Sequence, residues 1–216
     1  MHSKTFLFPT PLYSGVSTDT HTLDLAKDLF YSWKENTFDK IDQSGDNTPG
    51  LMSYHWDLKT ESNSVKDFNQ YGITTFYEGS LTEKSEWSPV IKHIISMVFE
   101  LLRDDYRGNI CITNAWATLY PKDAYVPEHI HNNSLFSGVF YIKAPTNCGD
   151  IIFKDPAYIS KTMASRLDNF PKYDILHVGK VQDGLMYLFP SWLPHYSQPN
   201  STNEDRIIIS FNVDFL

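Results

Sequence analysis

Two helical stripes of apolar residues dominate the first half of the chain. In the first stripe, apolar side chains recur at helical spacing between residues 22 and 36. In the second, Ser88 and Pro89 stand as a cap and a first-turn proline before an apolar stripe over residues 90–102. This second stripe predicts a helix that lies against a sheet. The polar segment 37–86, which glycines punctuate, predicts loops with short helices.

From residue 109 onwards the pattern changes to short runs of β-branched and aromatic residues, which predict strands. The predicted strands are 110–120, 135–143, 151–153, 185–189 and 207–216. Strands at this spacing favour a barrel or a double-sheet jelly roll, with the helices packed outside it. The polar stretch 156–184 predicts a long insertion between strands. We expect one domain over residues 1–216, mainly β with flanking helices: residues 1–108 helical and loop-rich, and residues 109–216 a β core.

Composition and charge exclude several classes of protein. The net charge of −8 argues against non-specific binding to nucleic acid and against docking on an anionic membrane. No apolar run approaches the roughly 18 residues of a membrane span, and the N-terminus lacks the apolar segment of a secretory signal. Two cysteines, Cys111 and Cys148, form neither a disulfide framework nor a zinc motif. We therefore expect a soluble, intracellular (cytoplasmic) protein.

Three histidines in the β half form a candidate metal site. His129 and His131 can project from one face of a strand, because residues i and i+2 share a face. A proline-rich turn then delivers His195, and such a rigid turn suits a ligand that must not move. Imidazole is a common ligand of iron, zinc, copper and nickel. Asn133 is a weaker candidate for the third ligand, and Glu128 is expected to point away from the histidines.

A single arginine opens the last apolar run. With a period of two, Arg206, Ile208 and Ser210 share one face of a strand. An arginine that faces a β core is costly unless an anion pairs with it, and a dicarboxylate would supply one. The residues alone leave open an exposed strand start at which Arg206 pairs with Asp205 or Glu204.

Six short motifs follow one another through the second half of the chain. They are Tyr120-Pro121, His129-Ile130-His131, Ser137-Gly138-Val139-Phe140-Tyr141, Gly149-Asp150-Ile151-Ile152-Phe153, Pro190-Ser191-Trp192-Leu193-Pro194-His195 and Arg206-Ile207-Ile208-Ile209-Ser210-Phe211-Asn212. Their order resembles the 2-oxoglutarate/Fe(II)-dependent oxygenase superfamily, in particular a subfamily of oxygenases from marine bacteria and their phages. The resemblance covers residues 109–215, together with an opening motif Phe8-Pro9-Thr10-Pro11-Leu12-Tyr13.

The resemblance implies a double-stranded β-helix core, also called a jelly roll or cupin-like fold, and a prolyl-hydroxylase-like motif order. It implies that His129 and His195 are iron ligands, while His131 stands where the superfamily usually has an aspartate. A neutral third histidine leaves the centre one charge more positive than a carboxylate would. His131 either binds the iron, as in three-histidine oxygenases, or turns away from it.

The resemblance also implies roles around the co-substrate. Arg206 and Tyr141 would hold the far carboxylate of 2-oxoglutarate, Tyr120 would line its pocket, and Ser210 would lie beside the arginine. Candidates for the substrate side are Asn114, Trp116, Asn133 and Trp192, and no catalytic side chain beyond the metal ligands is predicted.

The implied function is an Fe(II)- and 2-oxoglutarate-dependent dioxygenase. It would use O2, hydroxylate an unidentified substrate and release succinate and CO2. Two alternatives stay open: a three-histidine metal dioxygenase that does not use 2-oxoglutarate, and a non-catalytic β-sandwich binding module.

Overall fold

The strands form two antiparallel sheets, and helices pack against the larger one. The structure, a computed structural model, describes residues 10–38, 72–157 and 176–216. In chain order the elements are β1 (Tyr13–Val16), α1 (Thr20–Trp33), β2 (Ile73–Thr74), α2 (Ser88–Leu102), β3 (Ile110–Tyr120), β4 (Phe136–Lys143), β5 (Ile151–Lys154), β6 (Leu176–Gly179), β7 (Leu185–Pro190), β8 (His195–Ser197) and β9 (Arg206–Phe215). A π-helical turn (Lys34–Phe38) follows α1, and three 3-10 turns (Phe76–Glu78, Leu81–Glu83 and Ser85–Trp87) precede α2.

The larger sheet has six strands in the order β1-β7-β4-β9-β3-β2, and the smaller sheet has three in the order β6-β5-β8. Neighbouring strands are antiparallel throughout both sheets. The long central strands β3 and β9 pair along almost their whole length, with one irregularity between Ile112 and Asn114. The expectation of a mainly β core with flanking helices is therefore confirmed.

Two hydrophobic clusters cover the two faces of the larger sheet. One lies between this sheet and the helices, and the other lies between the two sheets. Strand β9 contributes to both, because its side chains alternate between faces. Ile207 and Ile209 pack in the helix-side cluster, whereas Ile208 packs in the cluster between the sheets. Arg206 shares a face with Ile208 and therefore points into the space between the sheets.

Helix α2 follows its apolar stripe, but it begins differently from the prediction. Five residues of the stripe are buried against the sheet: Val90, Ile91, Ile94, Val98 and Leu102. Ser88 was expected to cap the helix, and this was wrong: Ser88 is its first residue and Trp87 occupies the cap position without a side-chain bond. The reason is that the 3-10 turn Ser85–Trp87 runs directly into the helix, which leaves Ser88 with helical backbone angles.

Helix α1 begins two residues before the predicted stripe. The Asp19 carboxylate accepts a hydrogen bond from the backbone N–H of Thr22 (3.1 Å), which caps the helix. The π-helical turn after Trp33 covers the rest of the predicted range.

The five predicted strands are observed, each within two residues of its expected bounds, whereas β1, β2, β6 and β8 were not expected. Strand β6 lies inside the stretch 156–184 that was predicted as an insertion, and residues 158–175 of that stretch lie outside the described residues. Most of the predicted loop, residues 39–71, and Phe8-Pro9 of the opening motif also lie outside them.

Two further expectations concern cysteines and membranes. Cys111 and Cys148 are both free thiols, as expected. Within residues 10–38, 72–157 and 176–216, no helix has the length and apolar character needed to cross a membrane.

Candidate metal centre

Backbone pairing brings the three histidines together. His129 and His195 form an isolated antiparallel bridge in which each backbone N–H donates to the other residue's carbonyl, at 3.0 and 3.1 Å. The backbone N–H of His131 donates to the carbonyl of Ser191 (2.9 Å) in the turn before His195. One ring nitrogen of each histidine lies within 4.8 Å of those of the other two. The closest pair of ring centroids, those of His129 and His195, is 4.2 Å apart.

Each imidazole is held in one tautomer by an oxygen that can only accept a hydrogen bond. Nδ1 of His129 faces the carbonyl of Pro127 (2.8 Å), and Nδ1 of His195 faces the carbonyl of Leu193 (2.9 Å). Nδ1 of His131 faces a side-chain oxygen, Oδ1 of Asn212 (2.7 Å). The hydrogen must therefore sit on Nδ1 in all three rings, and Nε2 keeps the lone pair that a metal would use.

Burial keeps these rings neutral. Loss of solvent lowers the pKa of His129, and it lowers the pKa of His131 to about 4 with a further contribution from His129. Burial also holds the pKa of His195 well below its ordinary value. Neutral imidazole is the form that binds metal, and three such nitrogens are a donor set that iron accepts. The residues present therefore fit a metal ion.

A pocket between the two sheets extends from the histidines to Arg206. Apart from the histidines and Arg206, its lining combines apolar side chains with polar ones, among them Tyr120, Tyr141, Ser197 and Ser210. This arrangement places one cation at the end of a mostly apolar pocket.

The guanidinium of Arg206 is anchored from one side by backbone carbonyls. Its Nη1 donates to the carbonyls of Cys148 (2.7 Å), Gly149 (3.1 Å) and Gln198 (3.1 Å). Its Nη2 donates to Oγ of Ser197 (3.0 Å). Among the described residues, no group accepts a hydrogen bond from Nε, so one edge of the guanidinium remains available.

The charge of Arg206 has no counterion among the described residues. Only 1% of its surface is exposed, and its central carbon lies 4.6 Å from the centroid of the Tyr120 ring. The expected alternative of an exposed arginine paired with Asp205 or Glu204 is wrong. Glu204 pairs with a lysine at 3.5 Å, and Asp205 accepts a hydrogen bond from a tyrosine hydroxyl at 3.4 Å. A buried cation without a counterion calls for an anionic ligand.

Two tyrosines beside Arg206 stay protonated at neutral pH. Burial raises the pKa of Tyr120 to about 12, although the nearby Arg206 opposes the change. Burial likewise raises the pKa of Tyr141 above its ordinary value, again against the effect of Arg206. Both phenols can therefore donate a hydrogen bond to an anion in the pocket.

None of the four predicted substrate-side residues belongs to the set that lines the pocket. Trp116 stacks on the ring of His131, with centroids 5.8 Å apart and planes 24° from parallel. Asn114 pairs across the strands with Asn212. Asn133 is exposed and has a φ of +65°, and Trp192 is 51% exposed.

Glu128 and Asn212 bear on which residues could bind or orient a metal. Glu128 pairs with Lys154 (3.0 Å) and is not part of the histidine group, in agreement with the expectation that it points away. Asn212 was not singled out from the sequence, yet it holds the third histidine. The signal existed, because Asn212 continues the two-residue period that starts at Arg206 and Ser210.

Comparisons with known proteins give one family match for the β half of the chain. Residues 114–212 match the sequence profile of the family described as "Putative 2OG-Fe(II) oxygenase". A search of curated proteins found no match. The family match spans 99 of the 216 residues, just under half of the chain, and shows a similarity of the β half to the 2-oxoglutarate/Fe(II) oxygenases.

Solved structures support the fold. A prolyl-4-hydroxylase from Pseudomonas putida is 12% identical over 96% of this chain and 94% of that chain, with a TM-score of 0.53. HygX from Streptomyces hygroscopicus, with nickel and 2-oxoglutarate bound, is 13% identical over 95% of this chain and 83% of that chain, with a TM-score of 0.53. These likenesses confirm the expected double-stranded β-helix architecture, although the two sheets here do not close on each other.

A third similar structure is only partly covered. The oxidoreductase of the 2OG-Fe(II) oxygenase family from Burkholderia pseudomallei is 11% identical over 61% of this chain, with a TM-score of 0.46. The match spans 59% of that protein, which is less than two thirds of its length.

Proposed function

We propose that the protein is a dioxygenase that couples the oxidation of 2-oxoglutarate to succinate and CO2 with the hydroxylation of a second substrate. The observation that carries this proposal is the pair of complementary ends in one pocket. Three neutral imidazoles lie at one end, and a buried guanidinium without a counterion among the described residues lies at the other. A metal ion and a dicarboxylate together would satisfy both ends.

The metal ligands in this proposal are His129, His131 and His195. Each ring has its Nδ1 hydrogen bonded, and the lone pair of its Nε2 is the one that would bind the metal. When bound there, Fe(II) would supply the activation of O2. The protein contributes three fixed nitrogens whose orientation is set by their hydrogen bonds before the metal arrives.

The co-substrate residues are Arg206, Tyr141, Tyr120 and Ser210. Arg206 offers the free edge of its guanidinium to the far carboxylate, in the two-point geometry that a planar fork allows. Tyr141 adds a neutral donor, because its phenol keeps its proton in the presence of the arginine. Tyr120 covers one face of the guanidinium, which limits the approach of water to the charge. Ser210 offers a hydroxyl on the same face of β9 as Arg206.

The apolar walls of the pocket exclude water from the reacting groups. Val126, Val139, Ile151, Phe189 and Ile208 line the space between its polar ends. In such surroundings the hydrogen bonds to a carboxylate are stronger than in water. Binding at the arginine end would also orient the other end of the co-substrate toward the histidines, which is how the protein would contribute to rate.

Four residues are proposed for the substrate side of the reaction. In this proposal Trp116, stacked on His131, lies beside the face from which a substrate would approach, together with Asn114, Asn133 and Trp192. The whole chain would act as one oxygenase domain. The prolyl-4-hydroxylase among the similar structures does not define the substrate, because a shared fold does not carry specificity.

The direct test is turnover of 2-oxoglutarate without a second substrate. Purified protein with Fe(II), O2 and 2-oxoglutarate is expected to release succinate slowly, and His195→Ala is expected to abolish this release. His177→Ala, an exposed histidine on β6, is the matched control and is expected to retain it. Iron binding without any succinate release would instead favour a three-histidine dioxygenase that uses no 2-oxoglutarate. A protein that binds neither iron nor 2-oxoglutarate would favour a binding module.

A further inference from the structure

A chain of hydrogen-bonded side chains leads from the protein surface to the ring of His131. Nδ1 of His131 donates to Oδ1 of Asn212 at 2.7 Å, and the Ser137 hydroxyl donates to the same oxygen at 3.3 Å. The Ser137 hydroxyl also bonds to that of Ser191 (2.9 Å), which bonds to that of Ser134 (2.8 Å). Four polar side chains thus stand behind the one histidine that replaces a carboxylate.

The strand framework fixes each link of this chain. Asn212 on β9 lies directly across from Ser137 on β4, so their side chains share a face. Ser137 is fully buried and Ser191 is 1% exposed. Ser191 also accepts the backbone N–H of His131 (2.9 Å) through its carbonyl. The same serine therefore contacts the backbone of His131 directly and the ring of His131 through Ser137 and Asn212.

The other two histidines are held differently. Their Nδ1 atoms bond to backbone carbonyls two residues earlier in the chain, those of Pro127 and Leu193. Such local bonds come with the turn itself. His131 has a partner 81 positions away, and that partner is a side chain. The orientation of the third ring is therefore specified by a separate residue that a substitution can remove.

We infer that Asn212 is a positioning residue of the metal centre: its side-chain oxygen holds His131 in the Nδ1–H tautomer and turns Nε2 toward the metal. Trp116 stacks on one face of the same ring and limits its rotation. The inference rests on the proposed function for the presence of a metal, but the state of the ring is a property of the metal-free chain. It explains how a histidine can occupy a position where a carboxylate was expected.

The first test measures metal affinity with Co²⁺ as the probe, followed by its visible absorption. Asn212→Leu removes the acceptor at similar volume, and its Co²⁺ affinity is expected to fall by roughly 10- to 100-fold, as for other residues that orient a metal ligand. Asn212→Asp keeps an acceptor oxygen and is expected to stay within about threefold of the wild type. Asn203→Leu changes an exposed asparagine bonded to Lys122 and is the matched control, with unchanged affinity expected.

The second test reads the tautomer directly in metal-free protein at neutral pH. Long-range ¹H–¹⁵N correlation spectra of ¹⁵N-histidine-labelled protein distinguish protonated from unprotonated ring nitrogens, and His131→Gln assigns the His131 signals. The wild type is expected to carry its hydrogen on Nδ1, and Asn212→Leu is expected to lose this preference. A merely structural role for Asn212 would not change this readout in a folded variant.

Three results would overturn the inference. They are a wild-type His131 protonated at Nε2, an unchanged tautomer and affinity in Asn212→Leu, and an Asn212→Asp variant that binds Co²⁺ as weakly as Asn212→Leu. The wild-type spectrum tests the role of Asn212 even when the leucine variant does not fold. Failure of the wild type to bind Co²⁺ would contradict the proposed function, whereas the tautomer measurement tests Asn212 separately.

Discussion

Replacing Arg206 with lysine is expected to weaken 2-oxoglutarate binding strongly while leaving metal binding unchanged. Lysine keeps the positive charge, but a single ammonium cannot contact the carbonyls of Cys148, Gly149 and Gln198 and also present a fork to a carboxylate. Loss of one charge-assisted hydrogen bond costs about 1.5–3 kcal/mol, which corresponds to a rise in Kd of roughly 10- to 150-fold. The histidines lie at the other end of the pocket, so the metal affinity should not change.

The assay is calorimetric titration of 2-oxoglutarate into the Ni²⁺-loaded protein, which avoids oxidation during the measurement. Arg103→Lys is the matched control, because Arg103 is an exposed arginine whose side chain is 70% accessible. Thermal unfolding of each variant checks that the fold is retained. A folded Arg206→Lys protein that binds 2-oxoglutarate within about threefold of the wild type would refute the assignment of Arg206 as the anchor.

Three further predictions concern the fold. Gly149→Ala should lower both Tm and 2-oxoglutarate affinity. Gly149 has a φ of +85°, and a Cβ there would lie 2.5 Å from the carbonyl oxygen of Gln198, which accepts a hydrogen bond from Arg206. Unchanged Tm and affinity would contradict this prediction. Asp19→Ala should lower Tm at pH 7, and the difference should shrink as pH falls below 3.8. Hydrogen bonds from Thr22 lower the pKa of Asp19 in the folded protein below its ordinary value of 3.8. The stabilisation by the Asp19 carboxylate is therefore fully present above pH 3.8 and is lost as the pH falls through the folded pKa. A Tm difference that does not depend on pH would count against this prediction. Phe140→Ala should lower the free energy of unfolding, measured by denaturant titration, by about 3–5 kcal/mol, because the ring is fully buried between the helices and the larger sheet. A decrease below about 1 kcal/mol would contradict this close packing.

Local patterns predicted the long elements and the orientation of Arg206. Strand β3 and helix α2 were found because each carries enough apolar residues at a fixed period to be read without knowledge of its partners. The same alternation placed Arg206 on the face of β9 that turns between the sheets. The residues suggested that His129, His131 and His195 form one site, but the backbone pairing of His129 with His195 was not predicted, since no local pattern links residues so far apart.

The remaining features depend on contacts between distant segments. Strand β2 has two residues and exists only because Ile73 and Thr74 pair with β3. The carbonyl oxygens that hold Arg206 belong to the backbone, so side-chain identity carries no signal of them. Asn212 lay within a motif that had been noticed, but its contact with His131 required the register of β9 and β4 to be known.

The most direct test of the central claim is a crystal structure of the protein prepared without oxygen, with Fe(II) and 2-oxoglutarate bound. We predict iron on Nε2 of His129, His131 and His195, with the far carboxylate of 2-oxoglutarate on the guanidinium of Arg206. A structure in which His131 has turned away from the iron, or in which 2-oxoglutarate binds without contacting Arg206, would contradict this claim.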